Sequence, residues 1–146
     1  MSEDKIKFKI VTPEKIVFEE EVDQATLPVT NGEITILPSH RPYIASLKAG
    51  EIMVKIGEKE IDLAVSGGFI EFNQNTLVIL ADTAERAEEI DVTRAEDARK
   101  RAEELKKEKI TMDDGEYARV AASIEKELAR IKVGRKHHTM RGMKIN

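Results

Sequence analysis

Residues 76–108 read TLVILADTAERAEEIDVTRAEDARKRAEELKKE. The first part, TLVILAD (76–82), is apolar and rich in strand formers. The last part, AEDARKRAEELKKE (95–108), is almost pure helix former. The period of the hydrophobic pattern changes between them from 2 to about 3.6. The chain therefore reads as two unlike halves joined at EEIDVTRA (88–95).

Outward from that junction toward the N-terminus, everything reads as strand. KIKFKIVT (5–12) alternates strictly, with Ile6, Phe8 and Ile10 on one face and Lys5, Lys7 and Lys9 on the other. KIVF, DQATLPV, EITIL, YIASL, EIMVKI, KEIDLAV and GFIEF follow. Asn31-Gly32 is the strongest hairpin signal, and Pro28 marks an edge or a bulge. Gly57 with Glu58, Gly67 with Gly68, and Asn73 to Asn75 supply further turns. About nine to ten short strands with turn signals every 8 to 12 residues, roughly, predict an N-terminal β-sandwich or flattened barrel.

Toward the C-terminus the pattern is helical. Asp91 or Thr93 caps a first helix, and Thr93 with Glu96 fits a capping box. Its inward stripe is Ala95, Ala98, Ala102 and Leu105. Lys109 to Gly115 turn the chain, and Thr111 followed by Asp114 signals a second cap. The second helix has Tyr117, Val120, Ala121, Ile124, Leu128 and Ile131 on one face, with Gly134 as its C-cap. The expected fold is thus β followed by α: a β-sandwich at 1–86, an antiparallel two-helix hairpin at 87–133 and a basic tail at 134–146. An Ala-lined seam buries little area, and helices of this length are marginal alone in water. The hairpin is expected to be weakly held and able to re-dock. For residues 134–146 alone, a solvated basic tail is the favoured reading over a segment that seeks an acidic partner.

Charge is uneven. Residues 1–90 carry 9 Lys/Arg and 17 Asp/Glu, a balance of −8, while residues 116–146 carry 8 and 3, a balance of +5. A basic end on a chain with an acidic front suits an acidic partner. The chain has no cysteine, which excludes disulfides, thiolate metal sites and Cys nucleophiles. No apolar run approaches the roughly 20 residues of a membrane span. MSEDKIKFK has neither an apolar signal core nor transit-peptide character, so the protein is expected to stay where it is made, in a reducing compartment.

Catalytic patterns are missing. Ser66-Gly67-Gly68 lacks the first glycine and the strand–turn–helix context of a nucleophile elbow. Neither GxxxxGK[ST] nor GxGxxG occurs. His137 and His138 are neighbours in a basic segment without other ligand types, so no metal site is expected. Phe and Tyr fall at core-facing positions rather than on a stacking platform, so nucleic acid is not an expected partner. His40 lies between Pro38 and Pro42 in a rigid loop of the kind an interface presents.

Three stretches together resemble the epsilon subunit of the rotary F-type ATP synthase. NGEITILPSHRPYIASL (31–47) resembles the family's GELGILPGHxPL loop. SGGFIEFNQNTLVILADTAERAEEID (66–91) is similar to its SGGFxEV…N.VTILAxxAERAxxID block. IDVTRA (90–95) fits its IDxxRA junction. The resemblance spans roughly 5–133 and departs from the pattern at Thr35 and Ser39, where glycine is usual, and at Arg41 and Tyr43.

The resemblance implies a noncatalytic rotor subunit whose sandwich binds the gamma subunit and the c-ring, with Glu33 and His40 facing the c-ring. It implies association with the membrane only through the complex, at the cytoplasmic face of a bacterial plasma membrane. It implies a mobile hairpin that extends into the alpha/beta catalytic head and inhibits ATP hydrolysis, with Lys126, Arg130, Lys132, Arg135 and Lys136 as its basic face. No cofactor is required, and ATP enters as a regulatory ligand of Glu85, Ile90, Asp91, Arg94, Ala95, Arg119, Lys126 and Arg130. A hairpin turning near Ile110 also puts positions 126–130 across from Arg94, so Arg94, Lys126 and Arg130 converge beside a helix N-terminus, a plausible phosphate site. Lys126 stands where ATP-binding members have arginine, and lysine makes no bidentate phosphate contact. In the competing reading Asp91 only caps the helix and Arg94 only pairs with a nearby Glu. A free-standing nucleotide-responsive protein-binding module is the alternative function.

Overall fold

A computed structural model describes residues 4–108 and 113–145. Eight strands come first: β1 (Ile6–Val11), β2 (Ile16–Val22), β3 (Gln24–Val29), β4 (Gly32–Ile36), β5 (Tyr43–Ile56), β6 (Lys59–Asn73), β7 (Thr76–Ala81) and β8 (Ala84–Arg86). A 3-10 turn (Ala87–Glu89) leads into α1 (Val92–Glu108) and α2 (Asp114–Ile145). The strand order is β2-β1-β7-β6-β5-β3-β4, with β8 pairing to β6. β1 and β7 run parallel; every other pairing is antiparallel.

The strand count is lower than the turn signals suggest because two runs merge. YIASL and EIMVKI form the single 14-residue β5, and KEIDLAV and GFIEF form the 15-residue β6. Gly67 and Gly68 are therefore not a turn. They lie inside β6 at φ +124° and +141°. A Cβ on Gly68 would stand 1.9 Å from the Leu80 carbonyl oxygen, so glycine here permits close approach of β7. The two long strands contribute to both parts of the barrel-like sandwich. The first half of β6 takes β8 and the second half takes β7. One core gathers Phe8, Phe18, Ile36, Ile52, Leu63 and Phe72.

The hairpin signals hold elsewhere. Val29 pairs with Gly32 around Thr30-Asn31, and Asn73 pairs with Thr76 around Gln74-Asn75. Pro28 sits where β3 pairs with β4 but the β5 ladder has stopped at Thr26, which spares the missing N–H.

The helices depart further from expectation. Asp91 caps α1: its Oδ1 accepts from the Arg94 amide at 3.0 Å. Asp113 caps α2, with Oδ1 accepting from the Glu116 amide at 2.7 Å. Thr111 and the turn at Ile110 lie outside the described residues. Gly134 does not end the second helix, which runs on to Ile145. It is buried against the start of α1, where a Cβ would meet Val92 Cγ2 at 2.6 Å and Ile90 Cγ2 at 3.1 Å. The glycine thus serves close helix packing, and the segment from 134 continues α2 instead of forming a separate tail. The apolar stripe is also weaker than its sequence. Ile131 is buried, but Tyr117, Leu128 and Leu105 are exposed, while Ala129 and Val133 go inward. A small second core of Ala64, Ala87, Ile90 and Val133, with Val92 packed against it, joins hairpin to sandwich.

Candidate functional site

α2 lies against β5 and β6, and its charges decide how. Lys136 Nζ sits 3.2 Å from Glu51 Oε2, 3.3 Å from Glu60 Oε2 and 3.5 Å from Asp62 Oδ1. It also approaches Met53 Sδ at 3.4 Å. One turn earlier Lys132 reaches Glu51 at 3.9 Å. Glu51 and Asp62 are each 7% exposed. Burial under the helix pushes the Asp62 carboxyl up to about 6, with Glu60 and Glu51 adding to the rise and Lys136 opposing it. Lys136 is itself held charged: burial works against it, but Asp62, Glu51 and Glu60 outweigh that and raise its pKa. The acidic partner anticipated for the basic end is, in this state, the chain's own sandwich.

A second charged contact locks the junction. Arg130 Nε lies 3.0 Å from Glu85 Oε1 of β8, and its Nη1 donates to Glu127 Oε2 at 2.8 Å. Burial alone lowers the Arg130 pKa, but Glu85 and Glu127 outweigh it. Arg135 pairs with Glu96 of α1.

The residues assigned to ATP are only partly gathered. Glu85 and Arg130 meet directly. Asp91 and Arg94 meet through the capping bond. Ile90 and Ala95 are buried, Arg94 and Arg119 are exposed and Lys126 is half-buried. Because Val92 meets Gly134, the position across the hairpin from Arg94 is near Lys132 rather than at 126–130. Of the basic face, Arg130, Lys132, Arg135 and Lys136 all hold carboxylates in the docked state.

At the far end, the loop 37–42 is braced as expected. Ser39 takes φ 67° and its amide donates to Asn75 Oδ1 at 2.6 Å. The His40 amide donates to the Leu37 carbonyl at 3.1 Å. The His40 ring meets Phe72 and Tyr43 edge-on at 5.9 and 6.1 Å. Glu33 stands exposed in β4 nearby in sequence.

An apolar face escaped the sequence reading. Ile44, Phe69 and Leu80 are 77%, 62% and 54% exposed. Phe69 pairs with Leu80 and with Ser46 in adjacent strands, so all three residues lie on one side of β5-β6-β7, opposite the core. The aromatics are thus not all core-facing. Phe69 immediately follows the Gly67-Gly68 irregularity, and that was the available signal.

Residues 5–87 match the family of the ATP synthase delta/epsilon chain β-sandwich domain, and residues 88–134 match its long α-helix domain. The chain is 47% identical over 132 residues to an ATP synthase epsilon chain of Dehalococcoides mccartyi, covering 90% of this chain and 94% of that one. It is 46% identical over 126 residues to an ATP synthase epsilon chain of Desulforamulus reducens, covering 86% and 94%. In fold it is similar to a chain of the Euglena gracilis mitochondrial ATP synthase, with TM-score 0.71 and 22% identity, covering 84% of this chain and 76% of that one. It is also similar to a central-stalk and c-ring chain of the Tetrahymena thermophila mitochondrial ATP synthase, with TM-score 0.60 and 15% identity, covering 92% and 99%.

Proposed function

The chain belongs to the ATP synthase delta/epsilon chain family, and we propose that its sandwich seats it on the rotor while its hairpin acts as a releasable brake on ATP hydrolysis. It is a noncatalytic, central-stalk subunit of the complex. Among the described residues no helix is long and apolar enough to cross a membrane. We assign it to the cytoplasmic face, held there by the other subunits. The face of Ile44, Phe69 and Leu80 suits the gamma subunit, because exposed apolar area of this kind marks a protein interface. The braced loop with Glu33 and His40 suits the c-ring.

The observation that carries the brake is how the hairpin is held. Its apolar join centres on a small cluster, Ala64, Ala87, Ile90 and Val133, and ion pairs on α2 add to it. Ion pairs exchange partners at little net cost, since attraction and desolvation nearly cancel. A basic face that grips the sandwich when docked is free to grip an acidic part of the catalytic head when extended. ATP favours the docked form in this reading, through Asp91, Arg94 and the Glu85–Arg130 pair; Lys126 in place of arginine weakens it.

The test is ATP hydrolysis by the purified complex, with the chain intact and with it cut after Ile90. A several-fold faster rate on truncation supports the brake. Equal rates in an assembled complex overturn it. A free-standing module predicts that gamma does not co-purify with the chain, whereas family membership favours co-purification.

A further inference from the structure

We propose that Asp62, buried under the docked hairpin beside Glu51, Glu60 and Lys136, takes up a proton as pH falls, which makes docking a proton-linked latch that tightens. The inference rests on reading the hairpin as the mobile element; it adds what controls its release.

The cluster is short of positive charge. Three carboxylates converge on one ammonium within 3.5 Å. Among the described residues, the only other cation touching them is Lys132, which reaches Glu51 alone and is otherwise in solvent. The groups facing Asp62 are Glu60 on its own strand, Glu51 on β5 and Lys136 on α2. Asp62 Oδ1 is buried and makes no hydrogen bond among the described residues. An ionised carboxylate in that position is costly. A proton on the Asp62 carboxyl removes the cost.

Undocking reverses the situation. α2 provides the cover over Asp62, so its departure returns water to the carboxyl and its pKa falls from about 6 toward the ordinary aspartate value of 3.8. The docked state therefore binds the proton more tightly. The contribution is fully present below the undocked pKa and is lost as pH rises through the docked one. Between pH 7.5 and 5 the docking constant rises roughly tenfold. Lys136 stays charged across this range, its pKa being raised.

The test is amide hydrogen exchange of α2 residues 131–139 in the full chain at pH 7.5 and 5, corrected for intrinsic exchange. Opening at pH 5 is expected to be about tenfold rarer. Asp62→Asn, which mimics the protonated carboxyl, is expected to abolish that difference and to match the acidic wild type at pH 7.5. Carbon-13 titration of the wild-type Asp62 carboxyl needs no variant and is expected to show a midpoint near 6. A midpoint near the ordinary aspartate value, pH-independent protection, or an unchanged difference in Asp62→Asn would each overturn the latch. None of these readouts involves another subunit, so the latch and the brake fail separately.

Discussion

Gly134 of α2 and Val92 of α1 pack so closely that a Cβ on the glycine would lie 2.6 Å from Val92 Cγ2. Ile90 closes the other side at 3.1 Å. Both neighbours are β-branched and stiff about χ1, and both belong to the junction between sandwich and hairpin. The glycine therefore determines how near α2 comes to the hinge.

Gly134→Ala sets two effects against each other. In a helix interior alanine is favoured over glycine by about 1 kcal/mol. Overpacking costs about 1–3 kcal/mol. The clash is expected to win, lowering hairpin stability in urea unfolding followed by helical circular dichroism. Adding Val92→Ala makes room, so the double variant is expected to recover stability relative to Gly134→Ala. If Gly134→Ala alone is stabilising, the close contact is not restrictive.

Gly68 is the stricter position. Its backbone sits at φ +141° and any Cβ would strike the Leu80 carbonyl. Strain of about 1–3 kcal/mol adds to the loss of β6–β7 pairing. Gly68→Ala is expected to destabilise the sandwich by about 3 kcal/mol or more, measured by denaturant titration. A cost under about 1 kcal/mol would show that β7 shifts freely.

These two glycines explain what was legible in the sequence and what was not. The β-then-α layout could be read because the hydrophobic period changes within a few residues of Asp91. The Asn-Gly and Asn73–Asn75 turns could be read because local chemistry decides them. From sequence alone Gly67-Gly68 and Gly134 read as a turn and a helix end, because the same residue type also serves close packing, which depends on neighbours distant in the chain. Phe69 was lost for the same reason. The uneven charge was legible as a need for an acidic partner. Glu51, Glu60 and Asp62 as that partner were not, because only the fold brings β5 and β6 under Lys136.

Arg130 bridges Glu85 of β8 and buried Glu127. Arg130→Ala leaves Glu127 buried without a counter-charge, at an expected cost of about 3 kcal/mol. Arg130→Lys keeps the charge but loses the two-sided reach of the guanidinium, so an intermediate loss is expected. Unfolding midpoints at pH 7 check the order wild type, Lys, Ala. Equal stability of the two variants would mean that the fork contributes nothing beyond its charge.

Lys136→Met separates the forces on Asp62. Burial is the main cause that raises its carboxyl to about 6, and Lys136 is the group that opposes the rise. With the ammonium gone, burial, Glu60 and Glu51 act unopposed, and the Asp62 midpoint is expected to move above 6. The raised pKa then makes docking weaken as pH climbs through a higher value than in the wild type. Carbon-13 titration reads the midpoint directly. A fall toward the ordinary aspartate value would carry a different meaning: water has reached the carboxyl, so α2 leaves the sandwich once Lys136 is lost. An unmoved midpoint would show that the ammonium, although 3.5 Å from Oδ1, does not influence the proton.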